Sequence, residues 1–132
     1  MSIVRVLVSD KLSEAGLSVL RNAADVELEY RPGMSEDELC AVIGDFDGLI
    51  IRSATQVTAR VVEAADRLRV VGRAGIGVDN VDIPAASRRG IVVMNTPTGN
   101  SVTTAEHALA LLASLARKIP QAVASMRSGK WE

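Results

Sequence analysis

Short apolar runs alternate along most of the chain with segments whose apolar residues recur at helical spacing. The run over residues 3–9 is followed, over residues 12–21, by apolar positions three and four residues apart, which is the period of one helix face. The same alternation predicts strands over residues 3–9, 26–30, 48–52, 68–72 and 91–94, and helices beginning near residues 12, 35, 58 and 83. Because strands and helices alternate with short links, we expect an α/β fold: a doubly wound, parallel five-stranded sheet, flavodoxin-like or Rossmann-like, with right-handed crossovers.

Local signals refine several of these elements. Residues 26–30 alternate apolar and charged side chains, which predicts a half-exposed edge strand. Residues 48–52 form a short, mostly apolar run, which predicts a central, buried strand. A turn is expected at Pro32 and Gly33, and Ser35 with Glu38 has the spacing of a capping box that opens the second helix. Gly90 is expected to end the fourth helix.

The pattern changes after residue 97, where the alternation gives way to consecutive helical segments. Thr103 and Glu106 have capping-box spacing and predict the start of a helix that is apolar nearly all round and therefore buried on most faces. Pro120 is expected to break or kink it, and residues 121–130 predict a weaker amphipathic helix. We therefore divide the chain into a lobe over residues 1–97 and crossover helices over residues 98–132, and the end at Glu132 suggests a chain that is cut rather than finished.

Composition and charge exclude several classes of function. The formal net charge of the 132 residues is −1 and the basic residues are scattered, so we expect neither a nucleic-acid partner nor a membrane surface. No apolar run approaches the roughly 20 residues of a membrane span, and we expect no leader before the first strand. The single Cys40 excludes an intramolecular disulfide, suits a reducing compartment and is expected to be a small core residue. These observations predict a cytoplasmic protein.

Two arginines follow apolar strands and suggest a site for an anion. Arg52 and Arg73 would leave the same edge of the sheet side by side if the third and fourth strands are neighbours, about 4.8 Å apart. Paired guanidinium groups suit phosphate or carboxylate. The amides of the turn that contains Gly75 and Gly77 would add donors. This combination predicts a pocket for a small acid with two anionic ends; two separately solvated arginines are the alternative.

Other chemistries fit the sequence less well. The turn at Gly75 and Gly77 lacks the third glycine of a dinucleotide fingerprint, because Asn80 stands there, and the next strand does not end in an acidic residue. A phosphorylated receiver domain would need an aspartate where Arg52 stands. His107, the single histidine, is expected to be buried or to cap a helix. We find no metal-ligand cluster, no nucleophile elbow and no complete catalytic set.

Several motifs together resemble the D-2-hydroxyacid dehydrogenase family. They are Ile51-Arg-Ser-Ala-Thr55, Val71-Gly-Arg-Ala-Gly-Ile-Gly-Val-Asp-Asn-Val-Asp82, Val93-Met-Asn-Thr-Pro97, Gly99-Asn-Ser101 and Ala105-Glu-His107. The resemblance implies two α/β lobes with NAD in the cleft between them, residues 1–97 being the substrate-binding lobe. It also implies oxidation of a phosphorylated 2-hydroxy acid, 3-phospho-D-glycerate, to 3-phosphohydroxypyruvate in the phosphorylated route to L-serine.

Site residues carried over from this resemblance fall into two groups. The substrate-binding group comprises Arg52, Ser53, Arg73, Ala74, Gly75, Ile76, Gly77 and Asn100, with the arginines on the anionic groups and residues 74–77 receiving the carboxylate. The cofactor-binding group comprises Ile76, beside the nicotinamide, and Thr104, at the start of a helix that faces the cofactor.

The resemblance also implies what these residues do not include. The family's glycine-rich NAD loop and its catalytic arginine, glutamate and histidine match no position here, and His107 is not the catalytic histidine. The 132 residues alone are expected to be inactive, and the full-length protein to be a homo-oligomer, a dimer or tetramer. Two alternatives stay open: another D-2-hydroxyacid dehydrogenase of the glycerate or glyoxylate type, and a stand-alone, non-catalytic module that binds small acids.

Overall fold

Five parallel strands form the centre of the fold in a computed structural model that describes residues 3–130. They are β1 (Val4–Val8), β2 (Val26–Tyr30), β3 (Gly48–Ile51), β4 (Val70–Arg73) and β5 (Val92–Asn95). Their order in the sheet is β2-β1-β3-β4-β5, so β1 lies between β2 and β3. This confirms the predicted doubly wound sheet, and the order is the flavodoxin-like one. The edge position of β2 and the central position of β3 are also confirmed.

Four helices connect the strands, and each begins at a polar residue that caps it. The helices are α1 (Glu14–Arg21), α2 (Glu36–Val42), α3 (Ala59–Ala64) and α4 (Ile83–Arg88), with a 3₁₀ turn (Ile43–Asp45) after α2. Their caps are Ser13, Ser35, Thr58 and Asp82, whose side chains accept from the amide three residues later. The predicted capping box of Ser35 and Glu38 is confirmed. Gly90 has a positive φ of 68° directly after α4, as a glycine that ends a helix often does.

The core lies mainly on one face of the sheet. Leu7, Leu49 and Val71 are paired across the three central strands and pack in one cluster with buried residues of α2, α3 and α4. Val6 and Val8 alternate with Leu7 along β1 and therefore lie on the opposite face, the face of α1. Helices on both faces hold the strands of a parallel sheet in place, so the loops at the carboxyl edge start from fixed positions.

Thr98–Glu132 forms a second compact unit, separate from Met1–Pro97. It contains α5 (Ser101–Ala116) and α6 (Ile119–Arg127). The predicted capping box at Thr103 is wrong, because α5 already begins at Ser101 and the Thr103 hydroxyl donates to the Asn100 carbonyl inside the helix. The predicted burial of this helix is also wrong, since none of its residues is buried.

The break between α5 and α6 lies before Pro120. Lys118 takes a left-handed conformation, with φ 51°, and ends the hydrogen-bonding pattern of α5. Pro120 stands in the first turn of α6, where its missing N–H has no helical partner to lose. The predicted break is therefore present, but Pro120 starts the second helix rather than interrupting the first.

The Asp47 carboxylate, just before β3, bonds to Arg5 in β1 and to Arg67 before β4, and its protonation in acid should lower the free energy of unfolding. Its carboxylate accepts from the Arg5 amide at 3.0 Å, which is the main reason that its pKa lies below the usual range, and Arg67 donates to both oxygens. A lowered pKa stabilises the fold above the unfolded-state value of about 3.9, and that contribution is lost as the pH falls through the folded-state value. Asp47→Asn should therefore flatten the loss of unfolding free energy between about pH 5 and pH 2, measured by urea titrations.

Asp66→Asn is the control, because Asp66 is exposed and its carboxylate forms a long ion pair, 3.9 Å from Arg89 Nη2. An unaltered acid profile in Asp47→Asn would contradict the role assigned to Asp47.

Candidate functional site

The loops after β1 and β3 border a cleft at the carboxyl edge of the sheet. β1 and β3 are neighbours although β2 lies between them in sequence, so the direction of sheet growth reverses here. Ligands of open parallel sheets bind at such a switch point. The cleft has a volume of about 290 Å³ and is lined by Asp10, Lys11, Gly33, Arg52, Ser53 and Ala54. The structure thus brings two predicted site residues, Arg52 and Ser53, to the position that the fold favours for a ligand.

A buried carboxylate holds the loop that carries Arg52. Asp10 is 4% exposed, and its Oδ2 accepts from the Arg52 amide at 2.6 Å and from the Thr55 amide at 3.2 Å. Its Oδ1 accepts from the Thr55 hydroxyl at 2.9 Å, and that hydroxyl also lies 3.0 Å from Ser9 Oγ. Asp10 therefore fixes the backbone of the β3 loop and leaves the Arg52 side chain exposed at the cleft.

Arg52 and Arg73 do not occupy equivalent positions. Arg73 is the last residue of β4 and is paired with Ile51, so Arg52 lies one residue beyond it. The prediction that the two arginines leave the sheet side by side, at equivalent positions, is therefore wrong. The strand predicted over 68–72 begins and ends later, at Val70 and Arg73. The guanidinium groups also have different partners. Arg52 Nη1 donates to the Lys11 carbonyl at 3.2 Å, whereas Arg73 Nε donates to Asn80 Oδ1 at 2.7 Å.

The turn after β4 has two amide groups free to donate to a ligand. The Ala74 amide donates to the Ile51 carbonyl at 2.8 Å, and the Gly75 amide to the Arg73 carbonyl at 2.9 Å. Within the described part of the chain, the amides of Ile76 and Gly77 have no protein acceptor, and both residues are exposed. Of the four predicted amides, these two can receive a carboxylate, whereas Ala74 and Gly75 already use theirs.

Two bonds from the β5 end hold the same turn in place. The Thr96 amide donates to the Gly75 carbonyl at 2.9 Å, and Asn95 Nδ2 donates to the Ile76 carbonyl at 2.6 Å. The carbonyls of Gly75 and Ile76 are therefore occupied, whereas the amides of Ile76 and Gly77 remain available to a ligand.

Gly75 leaves space for the side chain that packs over the turn. Neither Gly75 nor Gly77 has a positive φ, so the backbone conformation itself does not require glycine at either position. A Cβ on Gly75 would instead lie 2.6 Å from Arg73 Nη1, and one on Gly77 would lie 2.7 Å from Asp79 Oδ1. Glycine thus makes room for the Arg73 guanidinium group, which lies over the turn. The Arg73 side chain is 10% exposed.

Three buried polar residues were missed as parts of the site: Asp10, Thr55 and Asn80. In the sequence, Asn80 was noted only because it stands where a dinucleotide fingerprint has its third glycine. In the structure its side chain bonds to Arg73 and to the loop that follows β3. Asp10 directly follows the strand predicted over residues 3–9, and Thr55 lies three residues after the strand predicted over residues 48–52. That position was a usable signal, because polar side chains at strand ends often bond to neighbouring loop backbone.

The remaining candidates lie in the second unit. Asn100 is the residue before α5, and its carbonyl accepts from the Thr104 amide at 2.9 Å. The roles of Asn100 and Thr104 toward substrate and cofactor stay predictions. His107 is exposed on α5 and lies six residues after the first helical position. The expectation that it is buried or caps a helix is therefore wrong.

Residues 3–130 contain neither a candidate metal site nor a candidate membrane span. In that range no three side chains of His, Cys, Asp or Glu form a group suited to a metal ion. No helix there has both the length and the apolar character required to cross a bilayer.

Comparisons with known proteins place this geometry in a family. The family model for the catalytic domain of D-isomer-specific 2-hydroxyacid dehydrogenases matches residues 6–129. Over 128 residues the chain is 52% identical to the D-3-phosphoglycerate dehydrogenase of Homo sapiens, covering 97% of this chain and 24% of that protein. The chain spans about a quarter of the length of the curated relatives it matches.

Solved structures share the fold. A crystal structure of a Pyrococcus horikoshii OT3 protein matches with a TM-score of 0.81 and 38% identity, over 98% of this chain and 38% of that one. The NAD⁺-bound 3-phosphoglycerate dehydrogenase of Entamoeba histolytica matches with a TM-score of 0.75 and 27% identity, over 86% of this chain and 39% of that one. The resemblance inferred from the motifs is confirmed, and the chain belongs to the D-isomer-specific 2-hydroxyacid dehydrogenase family.

Proposed function

We propose that this chain is the substrate-binding part of an NAD-dependent dehydrogenase that oxidises 3-phospho-D-glycerate to 3-phosphohydroxypyruvate. The observation that carries the proposal is the presence of two separately anchored guanidinium groups at the carboxyl edge of the sheet. Arg52 lies at the cleft after β3, and Arg73 lies over the turn after β4, which has two free amides. A ligand with a phosphate at one end and a carboxylate at the other matches this set. The human relative, a D-3-phosphoglycerate dehydrogenase, supports the same substrate.

Each part of the site has a distinct task in this proposal. The arginines bind the anionic groups of the substrate, with Ser53 beside Arg52 at the cleft. The free amides of Ile76 and Gly77 receive the carboxylate, since N–H groups that converge on one point suit an anion. Asn100 lies beside the substrate. Binding both ends of the acid would fix the position of its 2-hydroxyl carbon, and such orientation is a main source of rate in enzymes.

NAD is the cofactor we propose, and this chain offers only part of its site. The exposed side chain of Ile76 fits one apolar face of a nicotinamide, and Thr104 would contact the cofactor from α5. Bound NAD⁺ would supply the acceptor for the hydride of the 2-carbon; with release of the hydroxyl proton, the products would be the keto acid, NADH and a proton. The NAD loop and the catalytic arginine, glutamate and histidine expected from the family match no residue here. We therefore expect the 132 residues alone to bind the acid without oxidising it.

The two units receive different roles in this proposal. Met1–Pro97 is the substrate-binding lobe, and Thr98–Glu132 contributes the crossover helices that lead toward an NAD-binding domain. The whole protein is proposed to be a homo-oligomer, a dimer or tetramer.

Titration of the chain with 3-phospho-D-glycerate, followed by calorimetry or NMR, tests the proposed substrate. We expect saturable binding, weakened roughly ten- to hundred-fold in Arg52→Ala and in Arg73→Ala, because a hydrogen bond to a charged group contributes about 1.5–3 kcal/mol. D-glycerate, which lacks the phosphate, should bind at least tenfold more weakly.

Arg60→Ala is the matched control, because Arg60 is an exposed arginine of α3 that pairs with Asp37 at 2.6 Å, and the affinity should not change. Equal affinity for D-glycerate would exclude the phosphorylated substrate. Binding that survives loss of both Arg52 and Arg73 would exclude the anion site itself.

A further inference from the structure

We propose that Asn80 is a positioning residue for the substrate: it holds the Arg73 guanidinium and couples it to the loop of Arg52. The proposal rests on the function proposed above. Asn80 is 5% exposed and belongs to neither group of expected site residues.

Three hydrogen bonds of 2.7 Å converge on the Asn80 carboxamide. Its Oδ1 accepts from Arg73 Nε. Its Nδ2 donates to the Arg52 carbonyl and to the Thr55 carbonyl, so both of its N–H groups are used. One planar amide thus connects the loops that follow β3 and β4, and its backbone carbonyl also accepts from the Val57 amide at 2.8 Å.

The direction of these bonds requires asparagine. An aspartate would keep an acceptor for Arg73 but would place carboxylate oxygens against the two carbonyls, which have no proton to donate. Alanine or the glycine of a dinucleotide loop would leave Arg73 Nε and both carbonyls without these partners. Asn80 therefore holds the guanidinium group through a neutral side chain that can also donate to both carbonyls.

The bond to Nε also determines which part of Arg73 can contact a ligand. With Nε engaged, the fork formed by Nη1 and Nη2 remains for an anion. Nη1 lies over Gly75, and Nη2 is 3.7 Å from the exposed carboxylate of Asp79. Bidentate binding by arginine depends on the orientation of this planar fork. Fixing one edge of the plane in advance spares the ligand the cost of ordering the side chain.

The test measures the Arg73 Nε–H signal by ¹⁵N NMR together with affinity for 3-phospho-D-glycerate. We expect a slowly exchanging Nε–H signal in the unaltered chain and its loss in Asn80→Ala, with roughly tenfold weaker binding. Arg73→Lys keeps the charge but has no Nε–H donor on a guanidinium, so it should weaken binding by a similar factor. Adding Asn80→Ala to Arg73→Lys should then weaken binding little further.

Val61→Ala is the control for lost stability, because Val61 is a buried residue of α3 whose side chain forms none of the hydrogen bonds that hold Arg73. It should lower the melting temperature while the Arg73 signal and the affinity stay as they are. Equal losses of affinity in Val61→Ala and Asn80→Ala would overturn the proposal, as would unchanged affinity in Asn80→Ala.

Two further outcomes separate this inference from the proposed substrate. If the unaltered chain does not bind 3-phospho-D-glycerate, the proposed function fails, and the Nε–H signal alone then decides whether Asn80 holds Arg73. If Asn80→Ala does not fold, Arg73→Lys remains as the second variant, and full affinity in Arg73→Lys would overturn the positioning role.

Discussion

Replacing Asp10 by alanine should lower the free energy of unfolding by about 2–4 kcal/mol. The change removes the acceptor of two amides and one hydroxyl, and each buried donor left without a partner costs about 1–3 kcal/mol. Water that enters the cleft beside Asp10 should recover part of this loss. Urea denaturation at pH 7, monitored by circular dichroism, measures the difference.

The same variant should also weaken the proposed ligand site. Without Asp10, the β3 loop loses the bonds to the amides of Arg52 and Thr55, so the Arg52 side chain starts from a mobile backbone. Asp10→Asn keeps one oxygen as the acceptor for both amides and turns its N–H group toward the Thr55 hydroxyl, which can accept. We therefore expect a smaller loss of stability than in Asp10→Ala. Asp66→Ala, at an exposed carboxylate, should change stability by less than about 0.5 kcal/mol. If Asp10→Ala lowered the free energy of unfolding by no more than Asp66→Ala does, Asp10 would not organise the β3 loop.

The sheet was predictable from the sequence because its signals are local. Periodicity located β1 to β5, and the spacing of Ser35 and Glu38 located the start of α2. The errors arose where partners are distant in sequence. Whether α5 is buried depends on what packs against it, and an apolar composition shows only that it could be buried. Thr103 and Glu106 have the spacing of a capping box, yet the helix had already begun at Ser101.

The candidate site was predictable in its location and not in its contacts. Strand order brings Arg52 and Arg73 to one edge, and the motif resemblance selected the same residues. The register between β3 and β4 decides that Arg73 faces Ile51, and a shift of one residue cannot be read from two apolar runs. The role of Asn80 depends on bonds to residues 25 and 28 positions away. Long-range bonds of this kind have no signature in spacing along the chain.

Leu49→Ala should cost about 3 kcal/mol of unfolding free energy, within the range of about 2–5 kcal/mol for truncating a buried leucine. Leu49 is 1% exposed. It stands on the central strand between Leu7 and Val71, with which it is in register. Strands on both sides limit how far this site can collapse, so most of the removed volume should remain as a cavity. Chemical denaturation measures the loss directly.

Ile50→Ala on the same strand is the matched control, because Ile50 points to the opposite face and is only partly buried. We expect a smaller loss there, about 1–2 kcal/mol. Val92→Ala on the edge strand β5, where the side chain is 57% exposed, should cost less than about 0.5 kcal/mol. An Ile50→Ala variant less stable than Leu49→Ala would reverse the assignment of the core to the face covered by α2, α3 and α4. The expected order follows because alternate residues of β3 face opposite sides of the sheet, and the main cluster lies on one of them.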